Sequence, residues 1–175
     1  MTKTIERAAR AALVALAMAG CASKPAEEPV GASTSAAGER VAYEFDSLDD
    51  RPVSSAALHG RPTVLTFVQL GSALSQAQVE YLAAMAKNDS DRVNYAVVAL
   101  EPRSNRELLE LYVKTLEVKF PAAFADEATL NGAGAFGEWH GVPTTIVLDR
   151  VGRVLWRADG RVATSNELRN AMRGM

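Results

Sequence analysis

The central strand of the predicted fold begins at residue 63, where the chain reads Thr63-Val64-Leu65-Thr66-Phe67-Val68-Gln69. β-Branched and aromatic residues dominate these positions, which is typical of a buried strand. Gly71 and Ser72 interrupt the run, and apolar residues at helical spacing follow between Leu74 and Ala86. The sequence therefore predicts a strand that passes through a short turn directly into a helix.

A second strand and a second helix are predicted further along the chain. Residues 93–100 form an apolar run that is typical of a buried strand. Ser104 and Glu107 have the spacing of a capping box, which predicts a helix that runs to about Leu116. Residues 126–137 predict only a short helix, because three glycines weaken it.

The last third of the domain predicts a hairpin and a final helix. Residues 144–149 and 154–157 have strand character, and the short link between them contains Gly152. Thr164 and Glu167 predict a second capping box at the start of the last helix. A strand–helix–strand order implies a parallel pair with a right-handed crossover, and the closing hairpin makes the sheet mixed. We expect an α/β, thioredoxin-like mixed sheet with helices on both faces.

The N-terminus has the features of a bacterial lipoprotein signal. Lys3, Arg7 and Arg10 precede a short apolar run over residues 11–19, and Ala19-Gly20-Cys21 resembles a lipobox. We expect residues 1–20 to be the signal peptide and Cys21 to be acylated, which would anchor the protein in a membrane. Ala22 and Ser23 favour sorting to the outer membrane of the cell envelope, facing the periplasm.

Composition separates the mature chain into a tether and one domain. Residues 21–40 are rich in small residues, Pro and Gly, which predicts a flexible tether, and residues 41–175 are long enough for one core. The chain holds 19 Lys and Arg and 21 Asp and Glu, and cleavage after Gly20 would remove three basic and one acidic residue, taking the charge from −2 to −4. With this acidity and no basic patch in the sequence, we expect no nucleic-acid partner.

Several motifs resemble the TlpA/ResA-like thioredoxin-fold (redoxin) proteins. The matching pieces span about residues 43–173 and occur in the family's order: Phe45-Asp46-Ser47-Leu48-Asp49, Gly60-Arg61-Pro62, Phe120-Pro121 with Asp126, and Gly141-Val142-Pro143-Thr144-Thr145 with Asp149 and Gly152. The resemblance implies an N-terminal β-hairpin extension and the family's thiol-disulfide oxidoreductase activity.

The family's Trp-Cys-x-x-Cys active site corresponds to Gly71-Ser72-Ala73-Leu74-Ser75 in this chain. Both cysteine positions, Ser72 and Ser75, carry hydroxyls, which cannot form the mixed disulfide that the reaction requires. Cys21 is the only cysteine of the chain, so thiol-peroxidase and copper-delivery chemistry lack their ligands and nucleophiles as well. We therefore expect no catalytic residue, no metal and no cofactor.

Two roles are open for Ser72. It could be a serine nucleophile if His59 or His140, the two histidines, came within hydrogen-bond reach. It could instead cap the helix that follows, by accepting a hydrogen bond from a free N–H of the first turn. A thiolate-stabilising role like that of some glutathione transferases would need a second helical domain, which the sequence lacks.

Pro143 is the second feature that the resemblance singles out. In thioredoxin folds the matching proline is cis and faces the active-site helix, beside backbone that pairs with an extended peptide. The groove candidates are Gly71, Ser72, Val142, Pro143 and Thr144, with Trp139 as a further lining residue. Pro143 could equally be kept only because the fold requires this turn. Trp156 and Tyr81 are expected to be packing residues.

Three functions fit the sequence. The first is a redox-inert lipoprotein that binds a protein or peptide partner in the envelope. The second is an oxidoreductase of the family's type, and the third is a structural scaffold without a binding site. We expect the first, because both active-site cysteines are absent.

Overall fold

The computed structural model describes residues 39–173. The predicted signal peptide, Cys21 and nearly all of the predicted tether lie outside the described residues. Within residues 39–173, none of the helices combines the length and apolar character needed to cross a bilayer.

The described chain forms a seven-stranded mixed sheet with four α-helices. The strands are β1 (Glu44–Ser47), β2 (Val53–Ser54), β3 (Thr63–Val68), β4 (Asn94–Ala99), β5 (Ala122–Phe124), β6 (Thr144–Leu148) and β7 (Val154–Asp159). The helices are α1 (Ala73–Asp89), α2 (Arg106–Thr115), α3 (Glu127–Leu130) and α4 (Ser165–Ala171). The strand order across the sheet is β2-β1-β5-β4-β3-β6-β7.

The strand directions confirm the predicted topology. β3 runs parallel to β4, and β4 runs parallel to β5. β6 is antiparallel to β3, and β7 closes the hairpin against β6. The N-terminal hairpin of β1 and β2 joins the sheet through β5. The thioredoxin-like fold class and the hairpin extension are therefore confirmed.

Alternate residues of the central strands form a core on each face of the sheet. One face packs Val64, Val68, Val97 and Val147 against α1 and α4, whose largest buried members include Leu82 and Leu168. The other face packs Leu65, Phe67, Val98 and Ile146 against the N-terminal segment and the loop before β6, through Tyr43, Phe45, Val53 and Phe136. The one-turn helix α3 lies beside this second face, where the indole Nε1 of Trp139 donates to the carbonyl of Thr129.

Two local predictions need correction, and one strand was missed. Ser104 does not cap α2, because it lies inside a 3-10 turn and the helix begins at Arg106 without a side-chain cap. The helix predicted over 126–137 is only the single turn of α3, capped by Asp126, whose carboxylate accepts from the N–H of Thr129 at 2.8 Å. β5 was not predicted, because two of its three residues are alanine and the strand is very short.

Candidate functional site

The site predicted from the resemblance lies at one end of the sheet. In the antiparallel pairing of β3 with β6, Phe67 lies opposite Thr144. The end of β3 and the start of β6 are therefore neighbours. This register brings the turn that contains Gly71 and Ser72 to the same end of the sheet as Val142 and Pro143.

Ser72 is the N-cap of α1, as one of its two predicted roles required. Its backbone is extended, with φ −89° and ψ 122°, and its Oγ accepts a hydrogen bond from the N–H of Ser75 at 3.3 Å. The side chain is half-buried. The hydroxyl thus satisfies a free amide of the first helical turn, which stabilises the helix start.

Ser75 is fully buried one turn further along α1. Its Oγ accepts a hydrogen bond from the backbone N–H of Gln69 at 3.3 Å, which ties the helix to the end of β3. Both hydroxyls, at the positions that the resemblance assigns to the family's cysteines, therefore bind backbone amides of the strand–helix junction. Their role here is to hold the strand–helix junction together.

Neither histidine activates Ser72. His59 and His140 are both exposed, and within residues 39–173 neither imidazole makes a hydrogen bond to the Ser72 hydroxyl. A serine nucleophile needs a base in hydrogen-bond reach. The geometry supports the capping role and gives no support to a nucleophilic one.

Beneath the turn, the hydroxyl groups of two buried threonines are hydrogen-bonded to each other in the core. The hydroxyls of Thr66 and Thr145 lie 3.2 Å apart across the β3–β6 pairing, and both residues are fully buried. Thr66 occupies the position where the family resemblance places a buried polar group below the active site. A neutral hydroxyl paired in this way provides no proton shuttle near neutral pH.

The loop before β6 presents unpaired backbone. The Val142–Pro143 peptide bond is cis, as the resemblance implied. Among the described residues, neither the N–H nor the carbonyl of the half-buried Val142 has a hydrogen-bond partner, whereas the carbonyl of Pro143 accepts from the N–H of Gly160 at 2.9 Å. Val142 therefore leaves one donor and one acceptor available beside the Ser72 turn.

Gly141 allows this loop to pass very close to the following hairpin. It has φ +147°, and a Cβ placed on it would lie 2.7 Å from the Cα of Gly160. Real Cβ atoms do not approach backbone that closely, and φ in this region favours glycine. The position of Val142 thus depends on a glycine at residue 141.

A buried ion pair holds the loop from below. Arg157 and Asp159 have side chains that are 8% and 10% exposed, and the Nη2–Oδ1 distance is 2.8 Å. The guanidinium also donates to two loop carbonyls, those of Phe136 and Glu138. Because these bonds reach across to the loop, Arg157 fixes the segment that leads to Val142.

Trp139 completes this arrangement. Its ring lies 4.5 Å from that of Phe67, and the Arg157 guanidinium carbon lies 5.4 Å from its centroid. The tryptophan expected to line the groove is therefore half-buried beneath the loop and packs on the core. Cation–π contact with a desolvated arginine adds to the stability of this packing.

We call the Arg157–Asp159 ion pair, with its bonds to the loop, the clamp. Asp159 also connects this clamp to Thr144 at the start of β6. The hydroxyl of Thr144 lies 2.7 Å from Asp159 Oδ1 and 2.7 Å from the carbonyl of Gly141, and it can donate to one of them at a time. Burial alone would raise the pKa of Asp159, but hydrogen bonds from Arg157 and Thr144 outweigh it and hold the pKa below the ordinary value of 3.8.

We expect the stability of the domain to fall in acid through this carboxylate. A group whose pKa is depressed on folding contributes stability above its unfolded pKa, and the contribution is lost as pH falls through the folded pKa. The Asp159 contribution is therefore present at pH 7, starts to decrease near the ordinary pKa of about 4 and is lost progressively as the pH falls further. Urea unfolding at pH 7 and pH 3 measures it. Asp159→Asn should show a smaller acid loss than the wild-type protein, and an equal loss in both would contradict the assignment.

The surface around the Ser72 turn combines apolar side chains with the exposed amides of Gln69 and Gln76 and the carboxylate of Glu101, which accepts from the N–H of Leu70 at 3.2 Å. Leu74 is 49% exposed in the first turn of α1, and Gly71, Ala73 and Ala77 are exposed beside it. No charged side chain lies between residues 69 and 79. Within the described residues, no group of three or more His, Cys, Asp or Glu side chains is placed to hold a metal ion.

The sequence did not reveal the clamp. Arg157 and Asp159 have the spacing of same-face residues on a strand, which was the only available signal. Nothing local indicates that they are buried or that they bond to a loop some twenty residues earlier.

Comparisons with solved structures support the thioredoxin-like fold. No family model and no curated protein matches the chain. Solved structures do match: a DsbF homologue from Corynebacterium diphtheriae has 19% identity and a TM-score of 0.66, covering 78% of this chain and 86% of that chain. A thio-disulfide isomerase from Thermus thermophilus has 25% identity and a TM-score of 0.62, covering 78% and 93%.

A third structure, a thiol:disulfide interchange protein of the thioredoxin family from Chlorobium tepidum, has 20% identity and a TM-score of 0.64, covering 79% of this chain and 96% of that chain. The Thermus and Chlorobium proteins are described by thiol-disulfide chemistry, and the Corynebacterium protein is described as a DsbF homologue. The chain therefore has the thioredoxin fold of these thiol-disulfide oxidoreductases, in agreement with its resemblance to the TlpA/ResA-like redoxins.

Proposed function

We propose that this protein is a membrane-anchored, redox-inert thioredoxin-fold lipoprotein that binds an extended peptide or protein segment in the bacterial cell envelope. The anchor is the acylated Cys21, and the domain faces the periplasm from the outer membrane. The binding site is the groove predicted from Gly71, Ser72, Val142, Pro143 and Thr144; Gly71, Ser72 and Val142 form its accessible surface, and Pro143 and Thr144 are buried beneath it.

The unpaired backbone of Val142 carries the proposal. Its N–H and carbonyl have no partner among the described residues, and they lie at the same end of the sheet as the apolar surface of Gly71 and Leu74. An extended peptide could pair with this backbone and place an apolar side chain on Leu74. Main-chain pairing combined with side-chain pockets is a recurrent mode of peptide recognition.

The chemistry of the turn argues against an oxidoreductase. Cys21 is the only cysteine of the chain, and the hydroxyls of Ser72 and Ser75 both accept hydrogen bonds from backbone amides. Disulfide exchange requires a thiolate as the attacking group. The protein therefore retains the fold of the family without the atoms that perform its reaction.

The envelope location draws on two kinds of support. The lipoprotein signal in the sequence is one. The other is that proteins of this fold from Mycobacterium tuberculosis and Corynebacterium glutamicum are described as secreted.

The redox part of the proposal is tested with the chain that begins at residue 22, which contains every strand and helix of the described fold. We expect no dithiothreitol-dependent insulin reduction above the uncatalysed rate, because this form has no cysteine at all. Catalysis above that rate would contradict the redox-inert assignment.

The binding part is tested with a carboxymethylated, permanently unfolded protein as the probe. We expect saturable binding that Leu74→Asp weakens about tenfold or more, because burial of a leucine side chain contributes roughly 1.5–3 kcal/mol. Leu155→Asp is the matched control, since Leu155 is 38% exposed on β7 and away from the Ser72 turn. Equal affinities for the two variants, or no binding to the wild-type protein, would favour a structural scaffold instead.

A further inference from the structure

A group of arginines lies at the end of the molecule opposite the Ser72 turn. The parallel strands β3 and β4 both begin at this end, and the β6–β7 hairpin turns there, because β6 is antiparallel to β3. α1 and α4 follow β3 and β7, and both end there as well. Segments that are distant in sequence thus converge on one surface, which we call the arginine end.

A cleft of about 310 Å³ lies at the centre of the arginine end. Arg92 comes from the turn before β4, Arg150 from the β6–β7 turn and Arg169 from the last turn of α4. All three line the cleft, whose apolar wall includes Val93 and Met172. The guanidinium groups of three separate elements therefore share one opening.

The charges at this cleft are only partly compensated. Within residues 39–173, the side chains of Arg150 and Arg169 make no hydrogen bond and no ion pair. Arg92 has an exposed contact of 3.6 Å with Asp91. Asp89, the acidic residue of the cleft, accepts a hydrogen bond from the hydroxyl of Tyr95 at 2.7 Å.

More arginines surround the cleft. Arg61 donates to the carbonyl of Ser90 at 3.1 Å, beside the end of α1. Arg153 lies in the β6–β7 turn, where its backbone forms an antiparallel β-bridge with that of Arg40. The β6–β7 turn also holds one carboxylate, that of Asp149, which accepts hydrogen bonds from the backbone N–H groups of Val151 and Arg153 at 2.9 and 2.8 Å. Arg61, Arg92, Arg150, Arg153 and Arg169 still outnumber the carboxylates of Asp89, Asp91 and Asp149 at this end. The arginine end is thus locally positive, although the whole chain has a formal charge of −2.

The described domain also begins at this end. Arg40 pairs with Arg153, and the N–H of Val41 donates to the carbonyl of Gly152 at 2.9 Å. The chain that carries Cys21 therefore joins the domain beside the β6–β7 turn. A lipid on Cys21 would be connected to the domain next to its arginines.

We propose that the arginine end docks on an anionic phospholipid surface. Guanidinium groups match phosphate geometry with paired donors, and basic residues close to an anionic bilayer contribute about 1 kcal/mol each. This orientation turns the Ser72 turn away from the membrane, so that the groove is open to partners. The inference rests on the proposed membrane anchoring, which it extends from the point of attachment to the face that meets the lipid.

The test uses residues 21–175 with Cys21→Ser, so that no acyl chain contributes. Sedimentation with phosphatidylglycerol vesicles should show binding that phosphatidylcholine vesicles do not give and that 0.5 M salt abolishes. Arg150→Gln with Arg169→Gln should weaken this binding about 30-fold, which corresponds to two basic residues at about 1 kcal/mol each. Arg103→Gln with Arg106→Gln removes the same charge near the start of α2, at the Ser72 end, and should change binding less than threefold.

Three outcomes would overturn the proposal. The first is equal loss in the two double variants, which would mean that net charge alone acts. The second is saturable binding of inorganic phosphate at the cleft without vesicle binding, which would make it a site for a free anion. The third is a fall in thermal stability of Arg150→Gln with Arg169→Gln at unchanged vesicle binding, which would assign these arginines to the helix ends. None of these results depends on acylation of Cys21 or on peptide binding at the groove, so a failure here is distinct from a failure of the proposed function.

Discussion

Replacing Ser72 and Ser75 together with cysteine, in a chain that also carries Cys21→Ser, is expected to create a disulfide that closes on mild oxidation. The two positions are the N-cap and the third residue of α1, and the side chain of Ser72 already points at the N–H of Ser75. Residues three apart at a helix start lie within the Cα separation that a disulfide tolerates. Under denaturing conditions, a thiol reagent should detect two thiols per molecule before oxidation and none afterwards.

The same variant should contain one activated thiol when it is reduced. The half-buried residue 72 sits at the N-terminus of a helix of 17 residues, where the partial positive charge stabilises a thiolate. We expect the pKa of a cysteine there to fall below about 8.5. A cysteine at residue 75 should react slowly, because this position is fully buried. Alkylation rates of the two single variants measure both effects and provide the control.

A folded double variant that keeps two free thiols after oxidation would contradict the assignment of the active-site positions. Disulfide formation alone would not make the protein a good reductase, because Thr66 and Thr145 provide only neutral hydroxyls beneath the turn. In the proposed redox-inert protein, therefore, two features needed for the redox reaction are missing: the two cysteines and a buried group below them that could transfer protons.

Arg157→Ala is expected to be the most destabilising single change at the site. It leaves the carboxylate of Asp159 and the carbonyls of Phe136 and Glu138 without their charged donor. Removal of one partner of a buried ion pair costs roughly 3–5 kcal/mol, out of a total stability of about 5–15 kcal/mol for a typical domain. The free energy of unfolding in urea measures this loss.

Arg153→Ala is the matched control for this prediction. Arg153 is exposed, precedes the same strand, and makes its bond to Asp149 through its backbone N–H. A surface change of this kind usually shifts stability by less than about 0.5 kcal/mol. If Arg157→Ala and Arg153→Ala lost equal stability, the clamp would not hold the loop.

Hydrogen exchange distinguishes a local effect of the clamp from a global one. We expect the amides of residues 136–142 to exchange faster in Arg157→Ala than the amides of β3 and β4, when both are compared with the wild-type protein. The loop loses its charged anchor, whereas the central strands keep their pairing. Uniform acceleration across the domain would show that Arg157 supports the whole sheet.

The strongest sequence predictions concerned segments whose patterns are local. The apolar run over 63–69, the helix after Gly71 and the capping box of Thr164 and Glu167 all depend on residues a few positions apart, and the structure confirms all three. Periodicity and capping report on contacts within one element. The resemblance extended this to the order of the strands, including the N-terminal hairpin.

The predictions that failed depended on competing local or distant partners. Ser104 has the spacing of a cap, but Asn105 bonds to Glu101 and the chain forms a 3-10 turn before α2 begins. β5 is a strand because β4 and β1 flank it and pair with its backbone. An alanine-rich segment carries no sign of such neighbours in its own residues.

By itself, the sequence determined that this is a thioredoxin-like α/β domain and that the turn after its central strand lacks thiols, because hydrophobic periodicity and residue identity are properties of the chain itself. Only the tertiary structure decided what the remaining polar groups do. It buried Ser75 and left Ser72 as a cap, paired Thr66 with Thr145, placed Arg157 under the Val142 loop and gathered Arg92, Arg150 and Arg169 into one cleft. Each of these contacts joins residues whose surroundings are set by the register of the sheet, and a register is fixed only when the whole core packs.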